Sequence, residues 1–102
     1  MTSPNFSPKS LADLKEILHH IAKDKPQAAK RFVDLLKKKC YFLARTPYAG
    51  SGRDDLSPGL RAFSVGNYVI YLHPTDTGVR VERVLHGARD VNALFGTEPG
   101  LG

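Results

Sequence analysis

The sequence predicts an α+β fold in which a helical hairpin packs on a three- to four-stranded antiparallel sheet. Up to residue 45, apolar residues recur at intervals of three and four, which is the period of an amphipathic helix. From residue 60 onward they recur at intervals of two, which is the period of a half-buried strand. A loop rich in Gly, Ser, Asp and Pro, residues 46–59, separates the two regions. We therefore expect one domain, residues 1–95, followed by a flexible C-terminal tail, residues 96–102.

Both predicted helices begin with a capping residue and a nearby proline. Ser7 precedes Pro8 at the start of the first helix, and Asp24 is the expected N-cap of the second, with Pro26 in its first turn. The connection between them is so short that the two helices must form an antiparallel hairpin, and Pro47 ends the second. The apolar stripe of the first helix consists of Leu11, Leu14, Ile17, Leu18 and Ile21. That of the second consists of Ala29, Phe32, Leu36, Cys40 and Leu43.

Three strands are predicted at residues 60–65, 68–73 and 79–86. Gly66-Asn67 is a two-residue hairpin turn between the first two, and residues 74–78 form the second turn. Strict alternation in the third strand puts Val79, Val81, Arg83 and Leu85 on one side of the sheet. Prolines limit the segment around Phe6 to a short edge strand, and residues 90–95 form a short terminal helix or turn.

Composition and charge restrict the classes of function. The net charge is +5, and residues 1–45 contribute +6 (ten basic and four acidic residues) while residues 46–102 contribute −1 (five and six). A basic surface suggests an acidic partner, either a nucleic acid or an acidic polypeptide. No apolar run approaches the roughly 20 residues that span a bilayer, no secretory signal is evident, and a single cysteine excludes an internal disulfide. We therefore expect a cytoplasmic protein without membrane contact.

Neither a metal site nor a cofactor is expected. His19 and His20 are adjacent on a helix, so their side chains diverge, and no further ligand stands at a standard spacing. Cys40 lies on an apolar stripe without an activating neighbour, which indicates a core residue. The Gly-Ser-Gly sequence at residues 50–52 lacks the lysine and helix of a phosphate-binding loop.

The arginines of the second half are the main candidates for binding. Arginine holds planar anions through two hydrogen bonds and stays charged when partly buried. Arg83 interrupts an apolar series and therefore needs an acidic partner, for which Asp54, Asp55 and Asp90 are the candidates. The expected antitoxin- or target-binding residues are Arg53, Arg61, Tyr68, Arg83 and Arg89. The alternative interpretation is that these arginines form a structural network of ion pairs.

Several segments resemble the ParE toxins of the RelE/ParE superfamily. The resemblance rests on residues 52–56, 59–63, 65–71 and 81–90, and on residues 13–17 and 43–50, which look like the first-helix and helix-exit signatures. It covers about residues 6–95 and implies a RelE/ParE-like β-α-α-β-β-β fold. It also implies a type II toxin that inhibits DNA gyrase, with growth inhibition and plasmid stabilisation as its roles. The implied partner is a cognate antitoxin with an acidic C-terminal segment, which can assemble with the toxin into higher-order oligomers.

A second hypothesis is the RelE-like activity, cleavage of mRNA on the ribosome. The resemblance puts Tyr68 where such nucleases carry arginine, and Phe95 where they carry a hydroxyl-bearing aromatic residue. If the chain is nevertheless a nuclease, its catalytic residues are expected to be Arg61, His86 and Arg89, with Tyr71 as a further acid–base group.

A third hypothesis is a basic, non-catalytic nucleic-acid-binding module. Base stacking needs aromatic side chains on one face of a sheet, whereas the parity of the strand puts Tyr68 and Tyr71 on opposite faces.

Overall fold

Two helices cover one face of a five-stranded sheet in the computed structural model, which describes residues 2–95. The elements are β1 (Ser3–Phe6), α1 (Pro8–Ala22), α2 (Pro26–Arg45), a 3-10 turn (Pro47–Ala49), β2 (Ser51–Gly52), β3 (Arg61–Val65), β4 (Tyr68–Thr75), β5 (Gly78–His86) and α3 (Val91–Leu94). The predicted fold class is confirmed. The predicted tail, residues 96–102, lies outside the described residues.

The sheet has the order β1-β5-β4-β3-β2. Its strands pair antiparallel except for β1, which runs parallel to β5. The prediction of three or four strands was one short, because β2 is a two-residue strand inside the predicted loop. Two residues are too few to produce a period in the sequence, so the pattern gives no sign of this strand.

The start of α1 confirms the predicted cap and ties the helix to the sheet. The backbone N–H of Ser10 donates to Ser7 Oγ at 3.0 Å, and that hydroxyl donates to the Glu82 carbonyl of β5 at 2.8 Å. The inward face of α1 is formed by Ser10, Asp13, Leu14 and Ile17. Leu11 was predicted in the apolar stripe but is 52% exposed, because it lies about 100° around the helix from Ser10.

The start of α2 differs from the prediction. The N-cap position belongs to Lys25, without a side-chain hydrogen bond, because the N–H groups of Asp24 and Lys25 still bond to the Ile21 carbonyl and close α1. Asp24 therefore belongs to the turn that ends the first helix. Four of the five predicted stripe residues are buried, and Phe32 is half-buried against Tyr68.

A bulge in β5 overturns the predicted alternation of that strand. Tyr71 pairs with Arg83 and Leu72 pairs with Val81, which leaves Glu82 as an extra residue without a partner in β4. The inserted residue reverses the parity after position 82. As a result Val84 joins the core under the helices, while Leu85 packs on the opposite face.

Both faces of the sheet are covered. The helices and the inner face of the sheet form the main core, which includes the fully buried Cys40. On the other face, Leu56 and Leu60 of the loop before β3 and the side chains of α3 pack around Tyr71 and Leu85. Tyr68 belongs to the first cluster and Tyr71 to the second, as the strand parity predicted.

Candidate functional site

An open cleft lies between the C-terminal half of α1 and the end of the sheet where β4 begins and β5 ends. Its volume is about 370 Å³. We call it the α1–β5 cleft. It brings together three residues that the sequence singled out, Tyr68, His86 and Arg89, with two helical residues that it did not, His20 and Lys23. The other lining residues are Asp13, Glu16, Ile17, His19, Val84 and Leu85.

The turn after β5 fixes the orientation and the tautomer of His86. The backbone N–H of Ala88 donates to His86 Nδ1 at 3.1 Å, so that nitrogen accepts and the proton of the neutral ring lies on Nε2. The ring also meets Tyr68 edge-on, with centroids 5.1 Å apart and an interplanar angle of 80°. His86 is therefore held as a donor of one N–H group, rather than as a base with a free lone pair.

Several basic side chains at the rim of the cleft have no partner within residues 2–95. Among residues 2–95, the side chains of Lys23, Arg89, His19 and His20 are exposed and make no hydrogen bond or ion pair. Backbone contacts hold the adjoining turn, because the N–H of Arg89 donates to the His86 carbonyl at 3.0 Å. Arg89 thus presents, from a fixed position on the backbone, a guanidinium that has no partner within residues 2–95.

Arg83 is excluded from such a role because it forms a buried ion pair with Asp13. The guanidinium donates to both carboxylate oxygens, at 2.7 and 2.8 Å, and the Val84 N–H donates to the same carboxylate at 3.0 Å. The hydrogen bond to Asp13, with a smaller effect of nearby charge, raises the pKa of Arg83. The predicted partners Asp54, Asp55 and Asp90 were wrong. The sequence held one signal for the true partner. Asp13 lies on the buried face of α1, and a buried carboxylate requires a partner.

Two other predicted arginines are also engaged within the chain. Arg53 donates to both oxygens of Asp55 at 3.0 Å, which raises the pKa of Arg53. Arg61 donates to the carbonyls of Tyr48 and Gly50, and its guanidinium lies 4.9 Å from the Tyr48 ring centroid. The alternative interpretation, structural ion pairs, therefore describes Arg53 and Arg83, while Arg61 is held by backbone carbonyls and a tyrosine ring.

The four arginines do not converge on one site. Arg61 stands opposite Leu72 in β4, four residues along that strand from Tyr68, which corresponds to about 13 Å. Arg89 lies at the other end of the sheet. Nor does Arg89 pair with Asp54 or Asp55, because Asp54 accepts from the Gly59 N–H and Asp55 from Arg53.

Asp90 occupies the N-cap position of α3, which lies in the segment where a short terminal helix or turn was predicted, but it makes no side-chain capping hydrogen bond.

The predicted nuclease residues are likewise separated. Tyr71 is 3% exposed and belongs to the cluster on the face of the sheet away from the helices. Arg61 is at the far end of the sheet, so only His86 and Arg89 share the cleft. Within residues 2–95, no group of three or more His, Cys, Asp or Glu side chains is placed to hold a metal ion.

A second surface is defined by the charge of α2. This helix carries six basic residues and one acidic residue, a net charge of +5 that equals the net charge of the whole chain. Large apolar side chains are exposed among these cations, with Leu35 at 40%, Phe42 at 36% and Tyr41 at 53%. We call this surface the basic α2 face. None of the helices within residues 2–95 has the length and apolar character needed to cross a membrane.

The fold is that of the RelE/ParE-like toxins, with two helices on a mostly antiparallel five-stranded sheet. The chain belongs to the ParE toxin family, described as the ParE toxin of the type II toxin–antitoxin system parDE, whose sequence profile matches residues 5–91. A comparison with curated protein sequences gives no match.

Two solved structures share this fold. One is described as a chromosomal ParDE toxin–antitoxin system from P. aeruginosa, with a TM-score of 0.72 and 21% sequence identity over 84% of this chain and 96% of that chain. The other is described as the toxin–antitoxin complex RelBE2 from Mycobacterium tuberculosis, with a TM-score of 0.55 and 24% identity over 83% of this chain and 96% of that chain.

Proposed function

We propose that this ParE-family toxin inhibits DNA gyrase by binding, without cleaving nucleic acid, and that a cognate antitoxin holds it inactive in the cytoplasm. The observation that carries the proposal is the state of His86. Its Nδ1 accepts the Ala88 N–H, and its Nε2 carries the proton, so the ring offers a donor and no base.

Ribosomal mRNA cleavage requires more than this cleft offers. One group must remove the 2′-OH proton, another must stabilise the charged phosphorane, and a third must protonate the leaving oxygen. Arg89 suits the second role, but Arg61 and Tyr71 lie too far from His86 to supply the other two. Residues that act as a unit lose most of their effect when one is missing. An inhibitor that acts by binding needs only a complementary surface, which this cleft offers.

The basic α2 face is the surface that fits an acidic antitoxin segment. It combines the whole positive charge excess of the chain with exposed Leu35, Tyr41 and Phe42, and an acidic amphipathic segment complements both features. Such a segment would order on binding and bury its own apolar side chains. Of the residues predicted to bind antitoxin or target, we retain Tyr68 and Arg89 for the target. We assign Arg53, Arg61 and Arg83 to internal pairs.

The target is tested with purified toxin freed from its antitoxin, in two parallel assays. One measures gyrase supercoiling and the accumulation of cleaved DNA complexes, and the other measures mRNA cleavage on programmed ribosomes. We expect gyrase inhibition and intact mRNA. The Arg89→Gln variant should lose gyrase inhibition, whereas Arg45→Gln, an equal change of charge on exposed α2, should retain it. Ribosomal cleavage with normal supercoiling would refute the proposed target and favour the nuclease hypothesis.

The antitoxin surface is tested by charge reversal. Lys37→Glu/Lys38→Glu places two negative charges on the basic α2 face, and Lys9→Glu/Lys15→Glu makes the same change on α1. We expect the first variant to bind the antitoxin at least about tenfold more weakly at low salt, because like charges then face each other. Equal affinities for the two variants would place the antitoxin elsewhere.

A further inference from the structure

We propose that the α1–β5 cleft binds a phosphodiester group of duplex DNA. The inference deepens the proposed function, since gyrase acts on DNA, but it concerns a contact that the toxin makes by itself. It starts from an imbalance in the cleft, where several hydrogen-bond donors face a shared opening and most of them have no acceptor within residues 2–95.

Two donors have defined positions. His86 offers Nε2–H from a ring that the Ala88 N–H and the edge of Tyr68 hold in place. Arg89 follows three residues later in the same turn, with a guanidinium that has no partner among the described residues. Arginine matches the oxygens of a phosphate with two parallel hydrogen bonds, and phosphate contacts account for most hydrogen bonds between proteins and DNA.

The balance of charge in the cleft favours an anion. Asp13 lines the cleft, but Arg83 and the Val84 N–H already satisfy its carboxylate. Among the lining residues this leaves the carboxylate of Glu16 against the positive charges of Lys23 and Arg89. Glu16 and the negative C-terminal end of the α1 dipole oppose an anion, so binding is expected to be weak and sensitive to salt.

The cleft offers about 370 Å³ of space at an open surface. A phosphate with its sugar fits this space. An acidic amphipathic helix fits the basic α2 face instead.

The test measures binding of purified toxin to a short fluorescein-labelled DNA duplex by fluorescence anisotropy, from low to physiological salt. We expect Arg89→Gln to weaken binding by about tenfold at low salt, because a charge-assisted contact is lost. The slope of log affinity against log salt should fall by about 0.9, the value for one phosphate contact on B-DNA. His86→Phe should also weaken binding, while His86→Gln, which keeps an N–H group near Nε2, should bind better than the phenylalanine variant.

Arg45→Gln is the matched control, since it removes the same charge from an exposed position on α2. It should change affinity by less than about twofold and leave the salt slope nearly intact. If Arg45→Gln weakens binding as much as Arg89→Gln, the DNA lies on the basic α2 face and the inference is wrong. It is also wrong if the wild-type toxin binds no DNA at low salt. A third contradicting result is that polyglutamate, and not DNA, binds in the cleft in a manner that depends on Arg89. Inhibition of gyrase by a toxin that binds no DNA would overturn this inference and leave the proposed function standing.

Discussion

The buried pair between Asp13 and Arg83 makes a sharp prediction about stability. The side chain of Asp13 is 10% exposed and that of Arg83 is 15% exposed, so water can solvate little of either charge if its partner is removed. Breaking a buried pair in this way costs about 3–5 kcal/mol. We expect Asp13→Ala to fall in this range, because it also strands the Val84 N–H. That loss is a fifth or more of the total for a domain whose free energy of unfolding is about 5–15 kcal/mol.

The assay is urea unfolding followed by circular dichroism, with the denaturant slope checked for each variant. A loss of about 3 kcal/mol corresponds to at least about 12 °C in the melting temperature of a chain of this size. The Asp13→Ala/Arg83→Met double variant is the control. It leaves no unpaired charge, so it should be more stable than the sum of the single losses predicts. A loss below about 1 kcal/mol for Asp13→Ala, or strict additivity, would refute the reasoning.

Three further predictions concern other buried contacts. Ser7→Ala should lower the free energy of unfolding by about 1–2 kcal/mol, measured by urea unfolding, because one hydroxyl both caps α1 and bonds to Glu82. Burial raises the pKa of the Cys40 thiol from 9.0 to about 12, so between these pH values the thiol ionises in the unfolded chain but not in the folded one. The free energy of unfolding should therefore fall by about 1.4 kcal/mol per pH unit from pH 9 to 12, relative to the Cys40→Ala variant. Gly78→Ala should abolish the pairing of β1, measured by faster hydrogen exchange there, because φ is +143° and a Cβ would overlap the Ser3 carbonyl.

Local signals predicted the parts of the fold that depend on neighbours in the sequence. Ser7-Pro8 marked the start of α1, and Gly66-Asn67 marked a hairpin turn, because both depend on backbone conformations that a few residues determine. The burial of Cys40 followed from the helical period. The bulge at Glu82 was not predictable in this way, since an inserted residue reverses the later alternation without changing the types of residue.

The candidate site was less predictable because it depends on contacts between distant residues. Asp13 and Arg83 are 70 positions apart, and no spacing rule connects them. Tyr68, His86 and Arg89 were each named as candidates, and the structure brings them into one cleft with His20, which the sequence did not single out. The sequence also grouped arginines that lie at opposite ends of the sheet, because residue type gives no information about which partner each guanidinium reaches.

We propose that the toxin inhibits its target by stoichiometric binding, rather than by catalytic turnover of a substrate. The most direct measurement is a titration of gyrase supercoiling with toxin at several gyrase concentrations. For such an inhibitor the toxin concentration for half-inhibition should rise with the gyrase concentration, and the Arg45→Gln control should behave as the wild type does. Complete loss of supercoiling at toxin concentrations far below that of gyrase, or full inhibition by Arg89→Gln, would contradict this proposal.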